Sequence, residues 1–346
     1  MKTRFFLGAN SAGGFRSLYR DFVDPISDRL NIIKSGPGSG KSTFMKIIAD
    51  RAEKAGLDVE LIQCSGDPDS LDGVYLPQLK TAYVDGTSPH VIEPTYSGSG
   101  DNYIDLSKFY DRTGIRSVHS EIVELTDAYK SEYAKAYKLI AAYSNIKSAL
   151  MPFEKDYVDK GLKRITGIAD RELKTPEKRL GRTKKRYLDA ISCKGKITMY
   201  DTVVELCERV FLLDGTCEIS GPALNKLYNR GRELGLNMVL CLSPVDDSLI
   251  HILIPELSVA FVTDHTDIPF PHPVFRRVRL DSIPDAGFVK ATKEAKHAAD
   301  PLINLAVQRL RRAKELHDEL EKRYNPYVDF DAVRSLAEAE ADILIK

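Results

Sequence analysis

A glycine-rich stretch from Ser35 to Thr43 holds the residues whose types and spacing point most directly to chemistry. It reads Ser-Gly-Pro-Gly-Ser-Gly-Lys-Ser-Thr. Glycines let the backbone turn tightly and direct its N–H groups at phosphate oxygens. The Lys41 ammonium can bind β- and γ-phosphates, and the Ser42 hydroxyl can ligate Mg²⁺. The stretch therefore predicts a nucleoside triphosphate site. An ordinary glycine-rich turn would explain the glycines but not Lys41 beside Ser42.

The match to a phosphate-binding loop has one departure, because Ser35 stands where the usual pattern begins with glycine. The glycine spacing also differs from a dinucleotide fingerprint, whose third glycine is more widely spaced. We expect the backbone and Lys41 to hold the phosphates, with Thr43 near the α-phosphate. The residues predicted to bind the nucleotide are Gly36, Pro37, Gly38, Ser39, Gly40, Lys41, Ser42 and Thr43.

Asp85 is the second candidate, because it ends the apolar run Ala82–Val84 and precedes Gly86. A carboxylate at the end of a buried strand, in the same domain as a phosphate-binding loop, suits a Mg²⁺ ligand. We expect Ser42 and Asp85 to hold the metal together. The alternative is a turn aspartate in an Asp-Gly pair, which is common.

Further carboxylates cluster at Asp67, Asp69 and Asp72, after the predicted second strand. Ligands of open parallel sheets sit at this edge, so Asp67 is predicted to orient the attacking water or accept a proton. Helix capping by Asp67 or Asp69 is an equally good explanation. His90 lies just beyond Asp85 and could contact a γ-phosphate, although a loop histidine without a role is the commoner case. The predicted catalytic residues are Lys41, Asp85 and Asp67.

The elements that would position these residues follow an α/β pattern. The apolar run 30–34 predicts a strand before the loop, and 42–55 predicts a helix after it. Runs 59–64 and 81–85 predict buried strands of a parallel sheet. Residues 69–73 predict a short helical turn.

The remainder of the chain is predicted to be largely helical outside one further α/β segment. Residues 118–172 are expected to form a hairpin of two long helices that turns near Pro152. Residues 267–284 carry four prolines and predict an extended crossing. A helix over 287–322 and a short one over 331–345 follow. A coiled-coil pairing between the 287–322 helix and 118–172 is compatible with the sequence, but the heptads are irregular.

A repeat links the two halves of the chain. Segment 58–90 matches segment 237–265 at an offset of about 178 residues, and the pair Arg4-Phe5 matches Arg186-Tyr187 upstream. The second copy has Ser220 in place of Lys41 and Thr263 in place of Asp85. We therefore expect a duplicated fold whose second copy is degenerate and does not bind triphosphate in the same way.

Composition sets limits on location and partners. The 346 residues include 50 Lys+Arg and 50 Asp+Glu, so no general polyelectrolyte partner is implied. Five cysteines without a Cys-x-x-Cys pair favour a reducing cytoplasm, and no run approaches a membrane span. Residues 160–186 carry eleven basic and three acidic residues, a net of +8. A solvated helix end explains this segment better than a nucleic-acid patch, which it supports only weakly.

At four segments the chain resembles a little-characterised bacterial family of predicted ATP-binding proteins, some labelled ATPases, built from two P-loop-like halves. The resemblance implies a P-loop fold and ATP binding, and it is carried mainly by residues 5–94. In such families the second half can carry its own phosphate loop, and this chain lacks one. The segments are 6–9, 36–43, 64–71 and 85–90.

These observations predict a three-layer α/β P-loop domain, a degenerate second copy, a helical hairpin and a helical tail. The expected function is Mg²⁺-dependent ATP binding with hydrolysis at one site. Alternatives are a nucleotide or small-molecule kinase, a non-enzymatic ATP-gated module that presents its helical arms to a protein partner, and a nucleic-acid-stimulated ATPase. The predicted boundaries are 1–103 for the P-loop domain, 104–185 for the hairpin with its basic end, 186–284 for the second copy and 285–346 for the tail.

Overall fold

The structure is a computed structural model, and it is a mixed α/β fold with two six-stranded sheets. The first half of the chain forms one sheet and the second half forms the other. The described residues are 1–24, 26–150, 155–174, 180–214, 217–264, 268–280 and 286–345. Pro152, where the sequence predicts a turn, lies outside them.

The first half contributes eight strands and one long helix. The strands of the first sheet lie in the order β1-β5-β6-β7-β4-β8, and β6 is antiparallel to both neighbours. The sheet is therefore mixed rather than parallel. The elements are β1 (Lys2–Phe6), β2 (Gly8–Ser11), β3 (Gly14–Ser17), β4 (Arg29–Lys34), α1 (Lys41–Lys54), β5 (Val59–Gln63), β6 (Leu71–Leu76), β7 (Thr81–Asp85) and β8 (Asp101–Asp105).

The helical turn predicted over 69–73 is wrong, because these residues lead into the buried strand β6. The sequence Leu-Asp-Gly-Val-Tyr-Leu contains an Asp-Gly pair, which is typical of turns. All six residues are nevertheless buried between two neighbouring strands. Tertiary packing therefore overrides the local turn signal.

Three helices follow the first sheet: α2 (Arg112–Ser117), α3 (His119–Leu150) and α4 (Lys155–Glu172). The second half then repeats the order of elements. Its sheet has the order β9-β13-β14-β15-β12-β16, with β14 antiparallel to both neighbours. The elements are β9 (Thr183–Arg186), β10 (Asp189–Ser192), β11 (Gly195–Thr198), α5 (Tyr200–Leu206), β12 (Arg209–Asp214), α6 (Cys217–Glu233), β13 (Met238–Leu242), β14 (Leu249–Ile254), β15 (Val259–Thr263), β16 (Arg276–Arg279), α7 (Ala286–Tyr324) and α8 (Phe330–Leu344).

The two sheets agree strand by strand in order and direction, and both shift register at the same point. The shift follows Ile62 in the β5–β6 pair and Cys241 in the β13–β14 pair. Phe5 pairs with Ile62, and Arg186 pairs with Cys241. Phe5 therefore occupies the place of Arg186, so the upstream match that the sequence suggested is displaced by one residue.

The sheets share a core through the faces that they turn towards each other. Side chains from β4 and β7 pack in one cluster with side chains from β12 and β15. Helices α1 and α8 cover the outer face of the first sheet, and α4 and α6 cover the outer face of the second. Each half therefore differs from the predicted three-layer domain, because the opposite half takes the place of one helix layer.

The predicted hairpin of two long helices is also arranged differently. Helix α3 packs antiparallel along α7, with Glu121 near Arg323 and Glu132 near Arg309. Helix α4 instead packs on α6. An apolar face on α3, including Ile140, fits against Ile303 of α7, whereas the apolar face of α4 completes the core of the second sheet. Of the region 118–172, which the sequence suggested as a partner of α7, it is helix α3 that packs on α7.

Candidate functional site

The glycine-rich stretch forms a turn between β4 and α1, as the sequence predicts. Gly38 has φ of 65° and Gly40 has φ of 85°, a left-handed backbone that favours glycine. Gly40 caps α1, and its carbonyl accepts a 2.8 Å hydrogen bond from Phe44 N. The amino end of α1 therefore opens directly from the loop, where free N–H groups and the helix dipole favour an anion.

Lys41 folds back across the loop that precedes it. Its Nζ donates to the carbonyl of Gly36 at 2.8 Å and to that of Ser35 at 3.3 Å. The same Nζ lies 3.6 Å from Asp85 Oδ2, and both side chains are largely buried. The structure thus brings together the cation and the carboxylate that the sequence selected, although they are 44 residues apart (85 − 41).

Tyr110 supports the start of the loop, a contact that the sequence did not reveal. Its hydroxyl accepts a 3.0 Å hydrogen bond from Gly36 N and lies 2.9 Å from Ser35 Oγ. A Cβ on Gly36 would lie only 3.0 Å from this hydroxyl, so glycine is required for the close approach. Ser35, the departure from the usual pattern, therefore has a hydrogen-bonding role here.

The two predicted metal ligands are held by backbone contacts. Ser42 Oγ accepts a 2.9 Å hydrogen bond from Leu71 N, which ties α1 to β6. Asp85 Oδ1 accepts from Thr87 N at 2.8 Å and from Thr87 Oγ1 at 2.6 Å. The turn alternative for Asp85 is thus satisfied by one oxygen, while the other faces Lys41. A role of Asp85 as a metal ligand stays a prediction.

The remaining loop side chains differ in exposure. Ser39 is 1% exposed, and its Oγ has no hydrogen-bond partner among the described residues. Such an atom is costly to bury and suits a site that a ligand completes. Thr43 is exposed on the first turn of α1, and Pro37 is half-buried.

Asp72 and His90 join Asp85, so the structure selects a different member of the acidic cluster from the one predicted. His90 Nε2 lies 3.2 Å from Asp72 Oδ2, and the Tyr19 hydroxyl donates to the same oxygen at 2.8 Å. Burial raises the pKa of Asp72, against the attraction of His90, and nearby Asp85 raises it further. His90 packs between the rings of Phe15 and Tyr19.

Asp67, the predicted catalytic acid, forms hydrogen bonds within the turn that it begins. Its carboxylate accepts from Asp69 N at 3.3 Å and from Ser70 Oγ at 3.1 Å. Lys314 of α7 lies 3.4 Å from Asp67 Oδ2. Asp69 is exposed and pairs with Lys194 of the second half. Strand β6, not a helix, follows these residues, so the helix-capping explanation is wrong: Asp67 stabilises the turn before β6, and Asp69 forms an ion pair. A catalytic role for Asp67 stays a prediction.

The end of α7 lies on the glycine-rich turn. A Cβ on Gly38 would approach Asn325 Oδ1 to 2.8 Å and Glu321 Cα to 3.1 Å. Val333 and Phe330 at the start of α8 border Gly40 in the same way. Sequence reasoning treated these helices as a tail, because no local pattern shows contact with a loop nearly 300 residues earlier.

His317 lies on the same stretch of α7 and faces the site. Its Nδ1 is 3.7 Å from Glu321 Oε1, and its ring packs edge-on against Tyr129 of α3. Burial lowers its pKa, which Glu321 and Asp318 partly restore, while Lys314 and Lys41 add to the lowering. The charge of Lys41 therefore acts on an ionisable group of α7.

The second half has a different junction at the corresponding place. Six residues (35–40) separate β4 from α1, whereas two (215–216) separate β12 from α6. Thr263 ends β15 where Asp85 ends β7, and its hydroxyl donates to the Ile250 carbonyl at 2.7 Å. Ser220 lies within α6. Within the described residues, the second half thus presents neither a loop of this length nor the Lys41 and Asp85 pair.

The basic segment 160–186 is divided among several roles. Arg186 is 1% exposed and bonded to Glu60, so it faces the core and not a partner. Lys184 lies over the ring of Tyr75. Residues 175–179 lie outside the described part of the chain.

Among the described residues, no helix combines the length and apolarity needed to cross a membrane. Comparisons of the chain with protein-family models, with curated proteins and with solved structures give no significant match in any of the three.

Proposed function

We propose that this chain binds a nucleoside triphosphate, ATP, with Mg²⁺ and hydrolyses it at a single site in its first half. The observation that carries the proposal is the position of Lys41. Its Nζ spans the two carbonyls at the start of the loop and lies 3.6 Å from Asp85. N–H groups of the loop backbone can point at phosphate oxygens. Two of the three ammonium protons of Lys41 bind the loop carbonyls, which leaves the third for an anion.

For ATP hydrolysis, the protein has to position the reactants and stabilise the charge on the phosphates. Water attacks the γ-phosphorus, the bond to the β–γ bridging oxygen breaks, and ADP and phosphate leave. Lys41 and the amides of the loop would stabilise the negative charge on the transferred group. Ser42 and Asp85 would hold Mg²⁺, which neutralises charge on the β- and γ-oxygens when bound. The unpartnered Ser39 hydroxyl is available to the same phosphates.

ATP is proposed over GTP because the chain has no Asn-Lys-x-Asp guanine signature. The preference for adenine rests on that feature of the sequence and on the resemblance described above.

We further infer that the two halves arose by duplication and that only the first retained the site. The matching strand orders, directions and register shifts support a common origin. Equivalent turns also repeat: Ser11 Oγ donates to Gly14 O, and Ser192 Oγ donates to Gly195 O. Loss of the loop at the β12–α6 junction supports a second copy whose role is structural.

A second candidate function is supported by the contact between α7 and the loop. If triphosphate binding displaces Glu321 and Asn325 from Gly38, nucleotide would act as a conformational ligand that changes the α3–α7 arm. This ATP-gated module would bind ATP tightly without turnover. Measured hydrolysis separates the two functions.

The proposal is tested by titrating ATP with Mg²⁺ and recording both binding and phosphate release. Wild type is expected to bind and release phosphate, and Lys41→Ala to lose affinity by about tenfold or more, which is about 1.4 kcal/mol. Lys46→Ala is the matched control, because Lys46 lies on the same helix and bonds only to the Asp69 carbonyl at 2.8 Å. Equal ATP affinity in wild type and Lys41→Ala would overturn the proposal.

A further inference from the structure

Three metal-ligating side chains converge where β5, β6 and β7 meet at one edge of the first sheet. Asp72 enters from the start of β6, Asp85 from the end of β7 and His90 from the loop that follows. One ligand atom from each lies within 4.8 Å of the others. Because β6 runs antiparallel to β7, its first residues meet the end of β7.

The cluster is buried, which distinguishes it from surface carboxylates. Asp72 is 4%, Asp85 9% and His90 7% exposed. Lys41 balances Asp85 at 3.6 Å. The described contacts of Asp72 are with the Tyr19 hydroxyl, the His90 imidazole and the Cys64 thiol. Two carboxylates buried in one cluster are costly unless cations balance their charge.

His90 supplies a second, independent indication of a ligand. Its Nδ1 is buried and has no hydrogen-bond partner among the described residues. Buried polar nitrogens are almost always bonded, so this unbonded nitrogen indicates a missing partner for the His90 imidazole. The rings of Phe15 and Tyr19 fix the imidazole, with centroids 5.2 and 4.9 Å away.

We propose that Asp72, Asp85 and His90 form a site for a divalent first-row transition-metal ion that binds without nucleotide. Two carboxylate oxygens and one imidazole nitrogen match Mn²⁺, Fe²⁺ or Zn²⁺, whereas Mg²⁺ prefers oxygen ligands alone. Tyr19 positions Asp72 through its hydroxyl and is not itself a ligand. The site shares Asp85 with the proposed nucleotide site but needs neither Lys41 nor the glycine-rich loop.

The test is to titrate chelator-treated, nucleotide-free protein with Mn²⁺. Calorimetry measures binding, and electron paramagnetic resonance identifies the ligands of the bound Mn²⁺. One tightly bound Mn²⁺ per chain is expected, with a nitrogen coupling from His90, and a large excess of Mg²⁺ should not displace it. His90→Gln should remove the nitrogen coupling. His90→Gln and Asp72→Asn should each weaken binding by about tenfold or more, and Tyr19→Phe by less than either.

Controls separate this inference from the proposed function. Lys41→Ala should bind Mn²⁺ at least as well as wild type, because it removes a cation next to Asp85 and leaves the three ligands. Asp67→Asn is the matched carboxylate control and should bind as wild type. Circular dichroism of each variant verifies folding, and the nitrogen coupling in wild type tests the site without any substitution. Absence of Mn²⁺ binding to wild type, or absence of the nitrogen coupling, would overturn the inference. Equal affinity in wild type, His90→Gln and Asp72→Asn would also overturn it.

Discussion

Gly38, in the middle of the glycine-rich turn, lies directly against the backbone of Glu321 near the end of α7. A Cβ at Gly38 would stand 3.1 Å from both Cα and Cβ of Glu321. The loop and the C-terminal arm are therefore fitted to each other at backbone distance, and a change in one must move the other. Two features of Gly38 favour glycine: its φ of 65° and its close contact with Glu321.

Gly38→Ala is expected to weaken ATP binding by about tenfold or more. The left-handed backbone costs an alanine about 1–2 kcal/mol, and the added methyl group meets backbone that cannot rotate away. Both effects distort the turn that positions the amides. Isothermal titration with Mg²⁺ and ATP measures the loss.

Gly98→Ala is the matched control for the change at Gly38. Gly98 has φ of 78°, yet a Cβ there would meet nothing within 4 Å. The control should carry a similar backbone strain and bind ATP as wild type does. Equal ATP affinity in the two glycine variants would show that contact with α7 does not matter for the site.

A buried ion pair joins the two halves, and removing its cation is expected to destabilise the fold. Arg186 Nε donates to Glu60 Oε1 at 2.6 Å, and its other nitrogens bond to the carbonyls of Asp21, Phe22 and Lys185. Arg186→Met should lower the free energy of unfolding by about 3–5 kcal/mol, because Glu60 is left as an unpaired buried charge. Urea denaturation measures the change.

The surface pair Arg182–Asp24 provides the comparison, since it also links the two halves. Its nitrogen and oxygen are 3.0 Å apart, but the Arg182 side chain is 73% exposed. Arg182→Met should cost less than about 1 kcal/mol. The double variant Arg186→Met with Glu60→Gln should recover part of the loss. A cost for Arg186→Met as small as that for Arg182→Met would contradict the account.

The strands and loop of the site were accessible from the sequence because their signals are local. An apolar run, alternating glycines and an apolar helix face specify β4, the turn and α1 within 26 residues (29–54). Asp85 could be selected in the same way, since it ends an apolar strand beside a glycine.

The remaining features depend on packing between distant segments. Strand β6 contains an Asp-Gly turn signal and is a strand only because β5 and β7 enclose it. The choice of Asp72 over Asp67 depends on that strand. The contact of α7 with Gly38 joins residues nearly 300 positions apart, and the irregular heptads gave no register for it. Sequence periodicity identifies which face is apolar but not which surface it will cover.

Asp85→Asn is expected to reduce Mg²⁺-dependent phosphate release on the order of a hundredfold. The amide keeps the shape and can still accept from Thr87, but it lacks the charge that holds Mg²⁺ and pairs with Lys41. Asp105→Asn is the control, because Asp105 ends β8, on the other side of β4 from β7, and is exposed. Steady-state assays at saturating ATP compare the two. Parallel losses in both variants would mean that the charge at Asp85 has no special role.

His317 on α7 links the stability of the fold to pH. His317 is surrounded by Glu321, Asp318 and Lys314 of its own helix, by Tyr129 of α3 and by Lys41. Burial outweighs the acidic neighbours and lowers the pKa of His317 below its ordinary value of 6.5. The unfolded chain therefore binds a proton at His317 more readily than the folded chain does.

Because of this difference, the stability contributed by neutral His317 is fully present above pH 6.5 and is lost as the pH falls below that value. We expect the free energy of unfolding of wild type to fall between pH 7 and pH 5, and His317→Gln to show a smaller fall. Urea denaturation at each pH measures both. His297→Gln is the control, since His297 is exposed on the same helix and should leave the wild-type pH dependence intact. A steeper fall in His317→Gln than in wild type would show that the buried imidazole is stabilised by its acidic neighbours instead.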